Sequence, residues 1–228
     1  MAEFDRFARE YKDLLDRSTA FSGESSEYFC QYKANYVARM LGTSGTPKIL
    51  DYGCGIGALS IELAKLHPSA KLHGFDVSED SLSHVDPGLT SRGLFTSKQA
   101  ELHDDYDLIV ISNVLHHIPP AERQDTISGM AARLRPTGRL LVFEHNPMNP
   151  LTRLVVAKCP FDENAILLRP KELKNYFAKA GLEIARRNYI VFFPKMLALL
   201  RPVEPLLGWC PAGAQYALVG ARRAQGAG

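Results

Sequence analysis

The chain has 228 residues, 46% hydrophobic and 23% charged, enough to enclose one substantial core, with a formal net charge of only +2 that leaves no general electrostatic footprint for nucleic acid. Cys30, Cys54, Cys159 and Cys210 form no C-x-x-C pair, which argues against a zinc site or a disulfide framework and fits a reducing cytoplasm. The first residues lack the apolar core of a signal peptide and no run of about 18 apolar residues occurs, so a soluble cytoplasmic protein is expected.

Phe4, Phe7, Ala8, Tyr11, Leu14 and Leu15 recur at helical spacing. After a Ser/Gly-rich break at 22–26, a second helical pattern carries Tyr28, Phe29, Tyr32, Tyr36, Val37 and Met40. Residues 1–42 therefore read as two added helices, a lid on the core domain. From residue 48 strands and helices alternate: strand 48–52, helix 57–66 stopped by Pro68, strand 71–77, a helix from its cap Ser78 to about 85, and a short strand near 93–97. The run 106–112 is almost continuously apolar, as a doubly covered parallel strand should be. A helix opens at Pro119-Pro120 and closes near Gly138, followed by strand 139–144. Pro170 opens a further helix that Gly181 ends, and β-like segments at 183–193 and 214–222 complete the chain. The βαβαβ order predicts one α/β domain, with a Rossmann-like parallel sheet over 47–145 and acceptor-side elements in 146–228. Such sheets bind ligands at the carboxyl ends of their strands, where Asp51, Asp76, Asn113 and Glu144 all fall.

The densest signal is Ile49-Leu50-Asp51-Tyr52-Gly53-Cys54-Gly55-Ile56-Gly57, an apolar strand that ends in an acid and runs through three alternating glycines into a helix. Gly53, Gly55 and Gly57 supply turn geometry and let a ligand lie against bare backbone N–H groups. Gly53-x-Gly55-x-x-Ala58 also satisfies the dinucleotide fingerprint, with Asp76 near the distance of a ribose-binding acid, so an NAD-binding oxidoreductase competes. Asp51 argues against it. A carboxylate there repels a pyrophosphate and favours the ammonium and sulfonium charges of S-adenosylmethionine. The segment resembles motif I of the class I S-adenosylmethionine-dependent methyltransferases, and the resemblance extends over about residues 47–145.

That resemblance implies a seven-stranded, mostly parallel sheet with helices on both faces and the last strand antiparallel. It implies cofactor contacts from Asp51, Gly53, Cys54, Gly55 and Gly57, from Asp76 to the ribose hydroxyls with Val77 beside it, and from Gln99 and Ala100 to the adenine. Ser112-Asn113-Val114-Leu115-His116-His117 resembles the motif IV region of the small-molecule members, where Asn113 approaches the methionine moiety and one histidine faces the methyl group. A neutral imidazole suits proton removal near pH 7, and adjacent side chains diverge, so one of the pair is the expected base and His116 is preferred over His117. Glu144, ending the next strand, lands where it can orient an imidazole or bind the acceptor. No carboxylate cluster suggests a magnesium-assisted site, so no metal is expected.

Residues 145–153 read as a rigid polar loop over the active face, and 190–209 as an unusually apolar connection suited to burial, to dimerisation, or to an acceptor channel or membrane-surface contact flanked by Lys195, Arg201 and Trp209. Together with the aromatic N-terminal helices they would line a pocket for a small amphiphilic acceptor. Methyl transfer to a hydroxyl of a sugar-like or lipid-linked metabolite is the leading expectation. A protein that binds S-adenosylmethionine without turnover is the third reading.

Overall fold

The computed structural model describes residues 22–42 and 45–222; the first expected helix, with Phe4, Phe7 and Tyr11, lies outside them. Seven strands form one sheet: β1 (Lys48–Tyr52), β2 (Lys71–Phe75), β3 (Phe95–Thr96), β4 (Tyr106–Ser112), β5 (Leu134–His145), β6 (Leu182–Ile190) and β7 (Gln215–Arg222), in the order β3-β2-β1-β4-β5-β7-β6. The first five strands pair in parallel, and β7 runs antiparallel between β5 and β6. The expected sheet, mostly parallel with an antiparallel last strand, is the one observed. The chain order reverses between β1 and β4, which opens a crevice at their carboxyl ends.

Alternation along the central strands explains why both faces are covered. Leu50, Ile109, Ile111, Leu140 and Val142 point to a core shared with α5 (Arg123–Ala132) and α7 (Pro170–Lys179), through Ile127, Met130, Leu173 and Phe177. Ile49, Leu108, Val110, Leu141 and Phe143 point the other way, to Ala34 and Val37 of α1 (Ser26–Leu41) and Leu59 and Leu63 of α2 (Ala58–Leu66). Between α2 and α5 lie two short helices, α3 (Glu79–Ser83) and α4 (Pro87–Thr90). Ser78 caps α3, its hydroxyl accepting from the Ser81 N–H at 3.1 Å.

Three local expectations are corrected. The helix after Pro119-Pro120 starts only at Arg123, because Pro119 to Glu122 close a turn in which the Glu122 N–H donates to the Pro119 carbonyl. The polar loop at 145–153 is in its second half a helix, α6 (Pro150–Lys158), with Asn149 as its cap: Oδ1 accepts from Leu151 and Thr152, and Pro150 sits at the first helical position. The polar side chain of Asn146 turns inward, donating to the Pro211 and Gly213 carbonyls. Finally, the apolar connection at 190–209 is formed over Lys195–Leu207 by 3₁₀ turns, and many of its apolar side chains are exposed, Met196 at 88%, Leu199 at 96% and, beyond the turns, Trp209 at 74%. What turns inward there is Glu204, whose carboxylate accepts from the Phe192 and Phe193 N–H groups.

Candidate active site

The glycine turn lies at the carboxyl end of β1. Its back is tied to β2, with Gly53 and Cys54 N–H groups both donating to the Phe75 carbonyl. Gly53 and Gly55 hold φ of 79° and 53°, in the left-handed region that favours glycine, but they serve different ends. A Cβ on Gly53 would stand 2.3 Å from Val114 Cγ2, so the loop packs on the β4 turn. A Cβ on Gly55 would meet none of the described residues within 4 Å. The Gly55 N–H donates to Asp76 Oδ2 at 2.7 Å, and the Ser78 N–H to Asp76 Oδ1 at 2.9 Å, which fixes the acid just after β2. Gly57 ends the turn at the start of α2.

The other residues expected at this turn fall into two groups. Val77 is 63% exposed beside Asp76, and Gln99 and Ala100 are exposed on a 3₁₀ turn, where Gln99 Nε2 donates to the Tyr52 hydroxyl and so leaves the amide oxygen as an acceptor. Cys54 and Asp51 lie behind the turn. Cys54 is buried against Gly74, and burial raises its thiol well above the usual range. Asp51 is also buried and accepts from the Ser60 hydroxyl at 2.8 Å; burial first, then the charge of Asp76, raise its carboxyl to about 6 against the lowering pull of Ser60 and Lys33.

Across the crevice, β4 ends at Ser112 and the chain kinks at Asn113, a non-glycine residue at φ 56°. Its N–H donates to the Phe143 carbonyl, whereas its side-chain Oδ1 is buried with no donor among the described residues. An orphaned acceptor at a sheet's carboxyl edge invites a donor from a ligand. Leu115–His117 then forms a 3₁₀ turn held by Glu144, whose two oxygens accept from the Leu115 N–H at 2.8 Å and pair with His116 Nδ1 at 2.6 Å. Asp162 stands on the far side, its Oδ1 3.3 Å from His116 Nε2 and 3.4 Å from His117 Nε2. The segment bearing Asp162 is anchored by backbone: Ile166 N–H donates to the His116 carbonyl, and buried Arg123 donates to the Ile118 and Ile166 carbonyls.

These contacts separate the two histidines. Burial by itself depresses His116, but the charges and hydrogen bonds of Glu144 and Asp162 outweigh it and raise the imidazole to about 9, while Glu144 is held below its ordinary value by His116 despite its own burial. His145, buried close by, is pushed down to about 4 by burial and by His116. His116, 1% exposed and engaged at both ring nitrogens, is held toward its charged form, which weighs against the expected preference for it as the base. His117, 18% exposed, is the member with access.

Two residues of the site went unread in the sequence. One is Asp162. The other is Lys33 of α1, buried at the crevice with Nζ donating to Ser112 Oγ at 2.9 Å; burial lowers its ammonium while Cys30, Glu144 and Asp51 oppose that.

A family model described as a methyltransferase domain matches residues 5–186. The chain belongs to that family. Among its relatives, a ubiquinone/menaquinone biosynthesis C-methyltransferase of Syntrophotalea carbinolica is 30% identical over 156 residues, 65% of this chain and 62% of that protein. A ubiquinone biosynthesis O-methyltransferase of a Shewanella species is 27% identical over 148 residues, 60% of this chain and 58% of that protein. The chain thus spans less than two thirds of the length of these relatives. A solved magnesium protoporphyrin IX methyltransferase from Synechocystis, crystallised with bound SAH, shares the fold at a TM-score of 0.64 and 19% identity, covering 96% of this chain and 97% of that one. The open direction at Gly55 and the Asn113 oxygen fit a cofactor of the S-adenosylmethionine type, since among the described residues one leaves room for it and the other has no partner. A pyrophosphate-bearing dinucleotide suits the turn less, with Asp51 and Asp76 both beside it.

Proposed function

We propose that the protein transfers the methyl group of S-adenosylmethionine to a hydroxyl of a small, amphiphilic acceptor. The observation that carries this reading is the pairing of His117 with Asp162, two residues with solvent access, immediately beyond Asn113 at the crevice. In the proposed arrangement the Gly53–Gly57 turn carries the cofactor, Asp76 accepts from its ribose hydroxyls, Gln99 and Ala100 face the adenine, and Asn113 takes its amino group. The bound cofactor supplies an electrophilic methyl on a sulfonium. The chain's own residues hold the acceptor oxygen in line behind that methyl, and His117 accepts the hydroxyl proton while Asp162 orients the ring. Glu144 and charged His116 act one step back, holding the turn that carries His117.

A small amphiphile is favoured by the exposed apolar residues of 195–209, which suit contact with a lipid surface where such an acceptor resides, and by the near-zero net charge, which offers nothing to nucleic acid. A second copy of the chain on this surface is the competing partner. Among the described residues no helix is long and apolar enough to cross a membrane. Incubating cell extract with radiolabelled S-adenosylmethionine and the purified chain should place label in the organic-extractable or small polar fraction. Label recovered mainly in protein or RNA would overturn the small-molecule reading.

These roles set two expected outcomes. His117→Ala is expected to lower turnover at least 100-fold with cofactor affinity unchanged, within the range a positioned general base supplies; full activity in the variant would leave proximity as the sole device. The Asp51 carboxyl, raised to about 6, is protonated below that pH, and a ligand bearing ammonium and sulfonium charges prefers the carboxylate. Affinity for S-adenosylmethionine measured by calorimetry should therefore fall as the pH drops through about 6, by up to about tenfold per unit. Asp51→Asn should flatten that profile, and a parent profile already flat between about pH 5 and 7 would remove the electrostatic role.

A further inference from the structure

We infer that His116, His117 and Asp162 form a binding site for a divalent metal of the zinc class, with its open coordination position toward the acceptor. The three side chains offer His116 Nε2, His117 Nε2 and Asp162 Oδ1, all within 4.8 Å of one another. Two of the three spacings match a metal centre, and the third, between the imidazole nitrogens, lies within 4.8 Å. A tetrahedral zinc with bonds of about 2.0–2.1 Å sets its ligand atoms about 3.3 Å apart, and the carboxylate oxygen here stands 3.3 Å and 3.4 Å from the two imidazole nitrogens. Two nitrogen donors and one oxygen donor suit zinc and neighbouring transition ions and disfavour magnesium or calcium, which take oxygen.

The surroundings are also those of a metal ligand set. His116 Nδ1 is bound to Glu144 at 2.6 Å, and Glu144 is itself fixed by the Leu115 N–H at 2.8 Å. A ligating histidine whose other nitrogen is held by a carboxylate has its ring orientation set and its basicity raised. Glu144 and Asp162 bring two carboxylates to one histidine; a bound cation displaces the Nε2 proton of His116 to solvent and offsets the carboxylates in its place. The exposure is graded in the direction a substrate-facing centre needs: His116 is 1% exposed, Asp162 10% and His117 18%, so the uncovered side of the triangle faces outward. Three protein ligands with an open fourth position is the pattern of catalytic rather than structural zinc.

The inference rests on the proposed methyl transfer only for what the open position would receive. There an acceptor hydroxyl bound to the metal loses its proton more readily, so the cation takes over the part that His117 plays without it. The sequence did not reveal this site because Asp162 is brought to the histidines by Arg123 and the Ile166 backbone bond rather than by any local spacing.

The test uses the full chain, stripped with a chelator and dialysed. Zn²⁺ is titrated against a chromophoric competitor, and Co²⁺ is titrated while its visible d–d absorption is followed. One equivalent of Zn²⁺ per chain is expected, together with the intense absorption of four-coordinate Co²⁺. Asp162→Ala and His117→Ala should each weaken Zn²⁺ binding at least 100-fold, while His73→Ala, at the separate His73–His103 pair, should leave it unchanged. S-adenosylhomocysteine affinity of Asp162→Ala, read by calorimetry, should match the parent and show that the variant is folded. No stoichiometric Zn²⁺ in the parent, or equal Zn²⁺ affinity in the Asp162 and His117 variants, overturns the metal site and leaves the methyltransferase reading standing. Loss of S-adenosylhomocysteine binding by the parent chain would strike that reading instead.

Discussion

Gly55→Val is expected to weaken S-adenosylmethionine binding at least 100-fold, about 3 kcal/mol, while the fold survives. The outcome depends on where the new side chain goes. None of the described residues lies within 4 Å of the position a Cβ would take, so valine displaces none of them and instead fills the space left open for a ligand. It also sits at φ 53°, where a branched residue costs about 1–2 kcal/mol of backbone strain, enough to lower Tm by a few degrees in a chain of this size. Gly53→Val makes the contrast, because its Cβ would press on Val114 Cγ2 at 2.3 Å and must move the β4 turn. That variant should lose stability as well as binding. Calorimetry with S-adenosylhomocysteine and thermal melts on both proteins separate the effects, and parent-like affinity in Gly55→Val would remove the turn from the cofactor site.

What could be read from the sequence tracks how local each determinant is. β1 and β4 are short, largely apolar runs whose alternate residues enter two cores, and the glycine turn after β1 is written in consecutive positions, so strand, turn and helix fall where the pattern puts them. Asn149 and Pro150 carried an equally local helix start, but the density of polar residues around them reads as a loop until the cap is recognised. The division of labour between His116 and His117 has no local signature. It is set by Glu144 from β5 and Asp162 from beyond α6, partners that only the folded sheet brings to either side of one ring. Lys33 stood on the stripe of Phe29, Tyr36 and Val37 at helical spacing, a buried position for a charge and thus a readable sign of a polar site beneath α1.

Glu144→Ala is expected to cost about 3–5 kcal/mol of stability, the range for breaking a buried charge pair from one side. Glu144 is wholly buried and satisfies two groups at once, the Leu115 N–H and the charged ring of His116. Alanine strands the N–H in the core and leaves the imidazolium with Asp162 alone, at 3.3 Å. The ring relieves part of that cost by giving up its proton, which the lost carboxylate had favoured. At about 2–4 °C per kcal/mol for a chain of this length, Tm should drop by roughly 10 °C. Glu144→Gln keeps an acceptor for Leu115 and should lose about half as much. Because the same turn carries His117, turnover in Glu144→Gln should fall further than cofactor affinity although residue 144 is itself wholly buried. A Glu144→Ala protein melting within about 2 °C of the parent would mean that the Leu115–His117 turn is held by the Arg123 and Ile166 backbone bonds, and that the charged pair beneath it is incidental to the fold.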